Sequence, residues 1–257
     1  MSDDRAEPVS AEQQGRSFGR ATADYVAGRP SYPAEAVAWL LGDPRQGDQP
    51  LDVIDAGAGT GKLTEVIAAA GHRVTAVEPD AAMLASLAAT LPGVTALAGT
   101  GERLPVPDAS ADAITFGQAW HWVDPLAASA EAARVLRPGG RLGLVWNLRD
   151  ERTPWVAALT EVMGGSEAEQ MIGDDSVRIG PQFGPAERHV VEWTSAMTAE
   201  QIVRMAASRS YVITAPEERR WAVLNGVRRL LDTDPDTAGR ATIRLPYRTH
   251  TFRAALR

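Results

Sequence analysis

Cysteine is absent from the 257 residues, so the chain can form neither a disulfide framework nor a zinc–thiolate centre. Lysine occurs once, at Lys62, and aromatic residues make up only 6% of the sequence. No apolar run approaches the ~20 residues that span a bilayer. The polar segment 1–14 also lacks the apolar stretch of a secretory signal. We therefore expect a cytoplasmic protein with no membrane partner.

Positive charge is also scarce, since the formal net charge is −7. An acidic surface disfavours nucleic acid as the main partner. The histidines at positions 72, 189 and 250 show no metal-ligand spacing. We expect neither a nucleic-acid partner nor a metal, and the sequence indicates no oligomeric state.

Hydrophobic residues make up 44% of the chain, and in its first half they fall into strands that alternate with helices. This rhythm predicts an α/β fold, a Rossmann-like, doubly wound and mostly parallel sheet covered on both faces. The first five predicted strands are Leu51–Ala56, Arg73–Glu78, Val94–Ala98, Ala113–Gln118 and Arg141–Trp146. Two more strands, near 189–196 and 241–256, bring the sheet to seven; Pro246 interrupts the last one.

The ends of the chain differ from this core. Residues 1–16 have little to bury and are expected to form a disordered tail. Residues 17–257 then form a single domain. Within it, the N-terminal segment 17–46 and the segment 148–235 are predicted to form a helical cap over the substrate.

The most informative segment is 53–61, Val-Ile-Asp-Ala-Gly-Ala-Gly-Thr-Gly. A strand carrying Asp55 runs into three alternate glycines, Gly57, Gly59 and Gly61, and a helix follows. Glycine allows backbone to approach a ligand closely and to adopt positive φ. Because the helix N-terminus adds unpaired N–H groups, the segment predicts a site for a ligand with an anionic group.

An acid, Glu78, ends the second predicted strand, 17 residues after Gly61. At that place in a doubly wound sheet a carboxylate faces the ligand crevice and can accept hydrogen bonds from ribose hydroxyls. Such an acid suits NAD as well as an adenosine-containing sulfonium cofactor. The glycine spacing is G-x-G-x-G, whereas the NAD-type turn is G-x-G-x-x-G, but these residues alone leave both cofactors open.

Four motifs occur in order over residues 50–147. They are Asp55–Gly61, Val77–Asp80 with Met83, Gly99–Asp108, and Leu136–Leu142. Together they resemble the class I S-adenosylmethionine-dependent methyltransferases, in particular the type 11 group that acts on small molecules. The flanking segments Arg29–Pro33 and Gln118–Trp122 are similar to those of trans-aconitate methyltransferase-like enzymes. The resemblance implies an antiparallel last strand, with S-adenosyl-L-methionine as donor and S-adenosyl-L-homocysteine as product.

The resemblance also implies roles in cofactor binding. The three glycines would accommodate the methionine part of the cofactor, and Asp55 would bind its amino group. Glu78 would bind the ribose. Pro79 and Met83 would pack on adenine, and Gln118 would lie beside the sulfonium. Thr100 stands where many relatives carry an acid, and Gly101 replaces their alanine. Adenine would then meet the Gly101 N–H, the Thr100 hydroxyl or Glu102.

Acceptor residues are predicted beyond the fourth and fifth strands. His121 is either a general base, since its ordinary pKa lies near neutrality, or a loop histidine between aromatic side chains. The other residues predicted to bind the substrate are Tyr25, Arg29, Tyr32, Trp120, Trp146, Asn147 and Arg149. The arginines would suit an acidic acceptor.

The sequence therefore predicts methyl transfer to a small organic molecule, with a carboxylate or hydroxyl as acceptor. In-line displacement at a methyl carbon depends mainly on alignment of the reactants. Two alternatives stay open at this point: a methyltransferase-like protein that binds a ligand without turnover, and an NAD(P)-dependent dehydrogenase.

Overall fold

The computed structural model describes residues 30–42, 49–164, 171–172 and 177–257. The predicted tail and two predicted acceptor residues, Tyr25 and Arg29, lie outside them. The strands are β1 (Asp52–Ala56), β2 (Arg73–Glu78), β3 (Thr95–Ala98), β4 (Ala111–Gly117), β5 (Leu136–Arg149), β6 (Glu187–Met197) and β7 (Ile243–Ala255). The helices are α1 (Ala34–Leu41), α2 (Lys62–Ala69), α3 (Ala81–Thr90), α4 (Pro125–Val135), α5 (Pro154–Met163), α6 (Ala199–Ala207), α7 (Ser210–Ile213) and α8 (Glu217–Thr233).

One seven-stranded sheet organises these elements in the order β3-β2-β1-β4-β5-β7-β6. Strands β1 to β5 pair in parallel, while β7 is antiparallel to both of its neighbours. The predicted Rossmann-like sheet with an antiparallel last strand is thus confirmed. The carboxyl ends of β1, β2, β4 and β5 meet at one edge, beside the start of β7.

β5 is longer than the sequence predicts, and the last strand is not interrupted where the sequence predicts. β5 begins at Leu136, and Pro138-Gly139-Gly140 lies inside it, where the register against β4 shifts between Ala111 and Ala113. This Pro-Gly-Gly segment therefore forms an irregularity within a strand. β7 continues through Pro246, which pairs with Thr194 of β6, and the Pro246 carbonyl accepts from the Asp150 N–H just past the last rung with β5.

Alternation along the strands builds a core on each face of the sheet. Val53 packs with α1 and α2 on one face, where Leu40 and Ile67 are completely buried. Ile54, the next residue, belongs to the cluster on the opposite face, which includes α4 residues such as Ala132. Burial on both faces explains why the strands read as continuous apolar runs.

A separate core holds α5, α6 and α8 together. Leu159, Ile202 and Val227 are completely buried in it, and they pack with Leu245 and Tyr247 at the start of β7. Because Tyr247 pairs with the last residue of β5, this helical unit lies at the carboxyl edge of the sheet. No helix of the described residues is long and apolar enough to cross a membrane.

The packing of α1 on the sheet predicts the effect of Leu40→Ala. Leu40 is fully buried, so truncation should lower the free energy of unfolding by about 2–5 kcal/mol. Leu126→Ala is the matched control, because Leu126 is 62% exposed and should cost under about 0.5 kcal/mol. Urea denaturation measures both; equal midpoints for the two variants would contradict this packing.

Candidate functional site

A cavity lies at the carboxyl edge of the sheet, where the glycine turn meets the ends of β4 and β5 and the start of β7. Its lining combines backbone of the turn with polar and cationic side chains. The lining residues are Pro30, Tyr32, Asp55, Gly57, Ala58, Gly59, Thr60, Lys62, Leu63, Gly117, Gln118, Asn147, Arg209 and Tyr247. Open parallel sheets bind ligands at this edge.

The turn needs its glycines. Gly57, Gly59 and Gly61 all have positive φ, of 67°, 57° and 89°. A Cβ on Gly57 would lie 2.7 Å from the Cβ of Ala119, closer than two carbons can pack. Positive φ and close approach together make this a turn that other residues cannot form without strain.

Asp55 is completely buried beneath this turn. Its Oδ2 accepts a hydrogen bond from Thr64 Oγ1 at 2.6 Å, and its Oδ1 accepts one from Thr115 Oγ1 at 3.1 Å. Burial raises the pKa of Asp55 to about 6, against the effect of the two hydroxyl donors. The carboxylate is therefore costly to keep charged until a cationic group approaches it.

Glu78 fastens the turn to the end of β2. Its Oε2 accepts from the Gly59 N–H at 2.8 Å, and its Oε1 accepts from the Asp80 N–H at 2.9 Å. Burial raises the pKa of Glu78, while these two amides partly offset the effect. A carboxylate offers about four acceptor positions, so it can also bind two hydroxyls.

The adenine residues implied by the resemblance lie on the next elements. Pro79 is exposed at the end of β2, and Met83 is buried in the first turn of α3. Beyond β3, Thr100 is exposed, and Glu102 accepts from the backbone N–H of Asp124 at 3.0 Å. Each thus follows the end of β2 or β3.

The structure explains the replacement of alanine by Gly101. A Cβ there would lie 2.7 Å from Phe116 Cε1 and 3.0 Å from Val123 Cγ1. The rest of this segment is held by Arg134, which donates to the carbonyls of Leu104 and Val106 and pairs with Asp108. The acid that ends the motif therefore anchors the loop.

Gln118 and Asn147 extend the site from the end of β4 to the end of β5. Gln118 has a φ of 55°, a strained value for a residue other than glycine, and its Nε2 donates to the Asn147 carbonyl. Asn147 donates to the Ser31 carbonyl at 3.1 Å and accepts from Thr249 Oγ1 at 2.7 Å. Asn147 thus joins the N-terminal segment to β5 and β7.

His121 lies in a 3-10 turn, Trp120–Trp122, and is not among the residues that line this cavity. The indole N–H of buried Trp146 donates to His121 Nδ1 at 3.4 Å. A neutral ring that accepts at Nδ1 carries its proton on Nε2, which leaves no lone pair there for proton abstraction. Trp120 is buried and donates to the Arg178 carbonyl. Both roles of His121 stay predictions.

The predicted acceptor residues separate into two places. Tyr32 and Asn147 line the cavity, whereas buried Arg149 donates to Thr160 Oγ1 on α5. Sequence reasoning missed Arg209 and Tyr247, which also line it. No local pattern marks them, since packing of the helical unit brings them here.

Two missed residues belong to the glycine turn itself. Thr60 Oγ1 is buried and has no hydrogen-bond partner within the described ranges. Lys62 opens α2 and lines the cavity. Their signal was available, because both lie next to Gly61 and Lys62 is the single lysine.

The chain is similar in sequence and in fold to known methyltransferases. Residues 54–144 match the family described as methyltransferase domain. An uncharacterised methyltransferase of Mycobacterium tuberculosis is 49% identical over 243 residues, 93% of this chain and 96% of the relative. A methyltransferase-like protein of Schizosaccharomyces pombe is 31% identical over 242 residues, 92% and 94% of the two chains. The solved structure of a candidate type II methyltransferase from Anaeromyxobacter dehalogenans superposes with a TM-score of 0.64 and 24% identity, over 89% of this chain and 97% of that one.

The sheet order and the turn after β1 define a class I methyltransferase fold. The chain belongs to the S-adenosylmethionine-dependent methyltransferases. Membership implies S-adenosyl-L-methionine as the methyl donor and decides against the dehydrogenase. The residues present fit this group: the turn has no room for a Cβ at Gly57, the buried Thr60 hydroxyl has no hydrogen-bond partner among the described residues, and two carboxylates are buried beside the turn.

The turn geometry predicts that Gly57→Ala weakens binding of S-adenosylhomocysteine by at least about tenfold. The new Cβ would meet Ala119 and force the turn out of position, at a cost of about 1–3 kcal/mol. Gly71→Ala is the matched control, since Gly71 also has positive φ (89°) but nothing within 4 Å of its Cβ. Calorimetric titration of both variants measures the effect; equal affinities would contradict a tight turn.

Burial of Asp55 predicts a pH-dependent stability. The folded state binds its proton more tightly than the unfolded state, so this contribution is present below about pH 4 and is lost as pH rises through about 6. A rise of the Asp55 pKa from 3.8 to about 6 corresponds to roughly 3 kcal/mol in the free energy of unfolding. Urea denaturation of ligand-free wild type and Asp55→Asn from about pH 4 to about pH 7 should show wild type losing that much more stability. Parallel curves would contradict it.

Proposed function

We propose that the protein transfers the methyl group of S-adenosyl-L-methionine to an oxygen of a small organic acceptor, and that a carboxylate is the preferred acceptor. The observation that carries this proposal is the composition of the cavity. Its described lining contains no histidine, and its one carboxylate, Asp55, already accepts two hydroxyl hydrogen bonds. A nucleophile that is ionised at neutral pH needs no base, and a carboxylate meets that condition.

On this proposal, the glycine turn and its neighbours bind the methyl donor. Glu78 would accept from the ribose hydroxyls while keeping its two backbone amides. Asp55 would face the cationic amino group, a contact that lowers its pKa and offsets part of its burial cost. Lys62, Thr60 and the N-terminus of α2 would take the carboxylate of the methionine part. When bound, the donor supplies a methyl group on a positively charged sulfur.

The protein's own contribution is alignment and exclusion of water. Gln118 is fixed by its strained backbone and by its bond to the Asn147 carbonyl, so it can hold one position beside the reacting centre. The segments 17–46 and 148–235 would form the cap, since Pro30, Tyr32 and Arg209 line the cavity from them. Fixing two reactants in a near-attack geometry is worth about 7–11 kcal/mol.

The proposal is tested with methyl-deuterated S-adenosylmethionine, the purified protein and small organic acids, alcohols and amines. Mass spectrometry should detect labelled methyl esters together with S-adenosylhomocysteine. Labelled products from amines alone would contradict oxygen transfer. Binding of S-adenosylhomocysteine with no product from any acceptor would favour the non-catalytic alternative.

His121→Gln decides between the two roles of that residue in the same assay. Because its Nδ1 already accepts from Trp146, we expect kcat within about threefold of wild type and an unchanged pH profile. Loss of a general base would lower kcat by about 10²–10⁴-fold. A fall of that size would make His121 the base and favour a hydroxyl acceptor.

A further inference from the structure

Arg209 is a buried cation at the junction of α6 and α7. Its side chain is only 8% exposed, and it lines the cavity. Its Nε is buried without a hydrogen-bond partner in the described part of the chain, and its Nη2 lies 3.6 Å from the thioether sulfur of Met205. No carboxylate of the described residues pairs with it.

Burying a guanidinium without a charged partner costs free energy in the unliganded protein. A guanidinium stays protonated at any ordinary pH, so it cannot escape the cost of burial by losing its charge. A thioether is a weak acceptor and replaces little of the lost hydration. The site is therefore incomplete until an anion enters it.

The backbone around Arg209 is well fixed. Its N–H donates to the Ala206 carbonyl, and its own carbonyl accepts from the N–H groups of Val212 and Ile213. The guanidinium is thus presented by a folded junction, which gives it a defined place in the cavity. A fork of N–H donors in a fixed position matches the two oxygens of a carboxylate.

The residues just before Arg209 lie beside β7. Met205 and Ala206 share a core with Tyr247 at the start of β7. β7 lies three strands from β1, which is about 14 Å at the usual strand spacing. We take Lys62, which opens α2 directly after the glycine turn, as the cation for the donor's own carboxylate.

We infer that Arg209 binds a carboxylate of the methyl acceptor and selects small organic acids. This inference rests on the proposed function, because it takes the glycine turn as the donor site. The inference names Arg209 as the residue that discriminates among acceptors. The sequence alone predicts that role for Arg29 and Arg149. Arg149 donates to Thr160 and does not line the described cavity, so we assign the role to Arg209, which does.

The first experiment measures binding to protein saturated with S-adenosylhomocysteine. The probes are mono- and dicarboxylic acids, including acetate, succinate, citrate and benzoate, each paired with its amide. At least one acid should bind wild type tenfold or more tightly than its amide. Arg209→Met should weaken that acid by about 10- to 100-fold, and Arg209→Lys by less.

Arg204→Met is the matched control. Arg204 lies on α6, its side chain is 53% exposed, and it pairs with Glu200 on the surface. Its replacement should change neither acid nor S-adenosylhomocysteine affinity. Equal acid affinities in Arg209→Met and Arg204→Met, or no preference of wild type for any acid over its amide, would overturn the inference.

A second experiment separates the acceptor's carboxylate from the donor's. S-adenosylhomocysteine carries a carboxylate, whereas 5′-methylthioadenosine does not. Arg209→Met should bind both as wild type does, and Lys62→Met should lose affinity for S-adenosylhomocysteine alone. If Arg209→Met loses that affinity instead, Arg209 serves the donor and the inference fails. If wild type binds neither nucleoside, the proposed function itself fails.

Thermal unfolding without ligand distinguishes binding from a structural role. Removing an unpaired buried charge should leave Tm unchanged or raise it by a few degrees in Arg209→Met. A lower Tm together with equal loss of every ligand would mark Arg209 as structural and would overturn the inference.

Discussion

The fastening of the glycine turn to the end of β2 is the constraint on which the rest of the site depends. Gly57 and Ala58 both donate to the Val77 carbonyl, and Gly59 donates to the Glu78 carboxylate. These bonds set the height of the turn above the sheet and the direction in which α2 begins. They also hold Glu78 in place, so one network positions both backbone and acid.

The electrostatics of the site follow from the same arrangement. Asp55 and Glu78 are buried without a lysine or arginine partner in the parts of the chain that the structure describes, and burial raises the pKa of both. Amides and hydroxyls stabilise them incompletely. On the proposed function, the donor's cationic and hydroxyl groups interact with these acids, and Arg209 binds an anionic group of the acceptor.

Local sequence patterns predicted the parts that local chemistry determines. The glycine spacing, Glu78 and the strand–helix alternation located the turn, and β2 lies where the pattern placed it. The extension of β5 back through Pro138-Gly139-Gly140 was missed, because long-range pairing of Leu136 with Ala111 and of Gly140 with Leu256 keeps that segment in the sheet. Predicting Arg209 and Tyr247 was beyond such patterns, since α6, α7 and β7 meet the turn only through long-range packing. The contact of Arg149 with Thr160 on α5 also depends on long-range packing, so local patterns did not predict it.

The central claim is that the turn after β1 and Glu78 form the donor site, and that the acceptor enters beside Gln118 and Tyr247. A crystal structure with S-adenosylhomocysteine bound tests it most directly. The account predicts both ribose hydroxyls within about 2.6–3.2 Å of the Glu78 carboxylate and the sulfur facing the part of the cavity lined by Gln118 and Tyr247. Ribose placed away from Glu78, or a sulfur turned away from that part of the cavity, would contradict it.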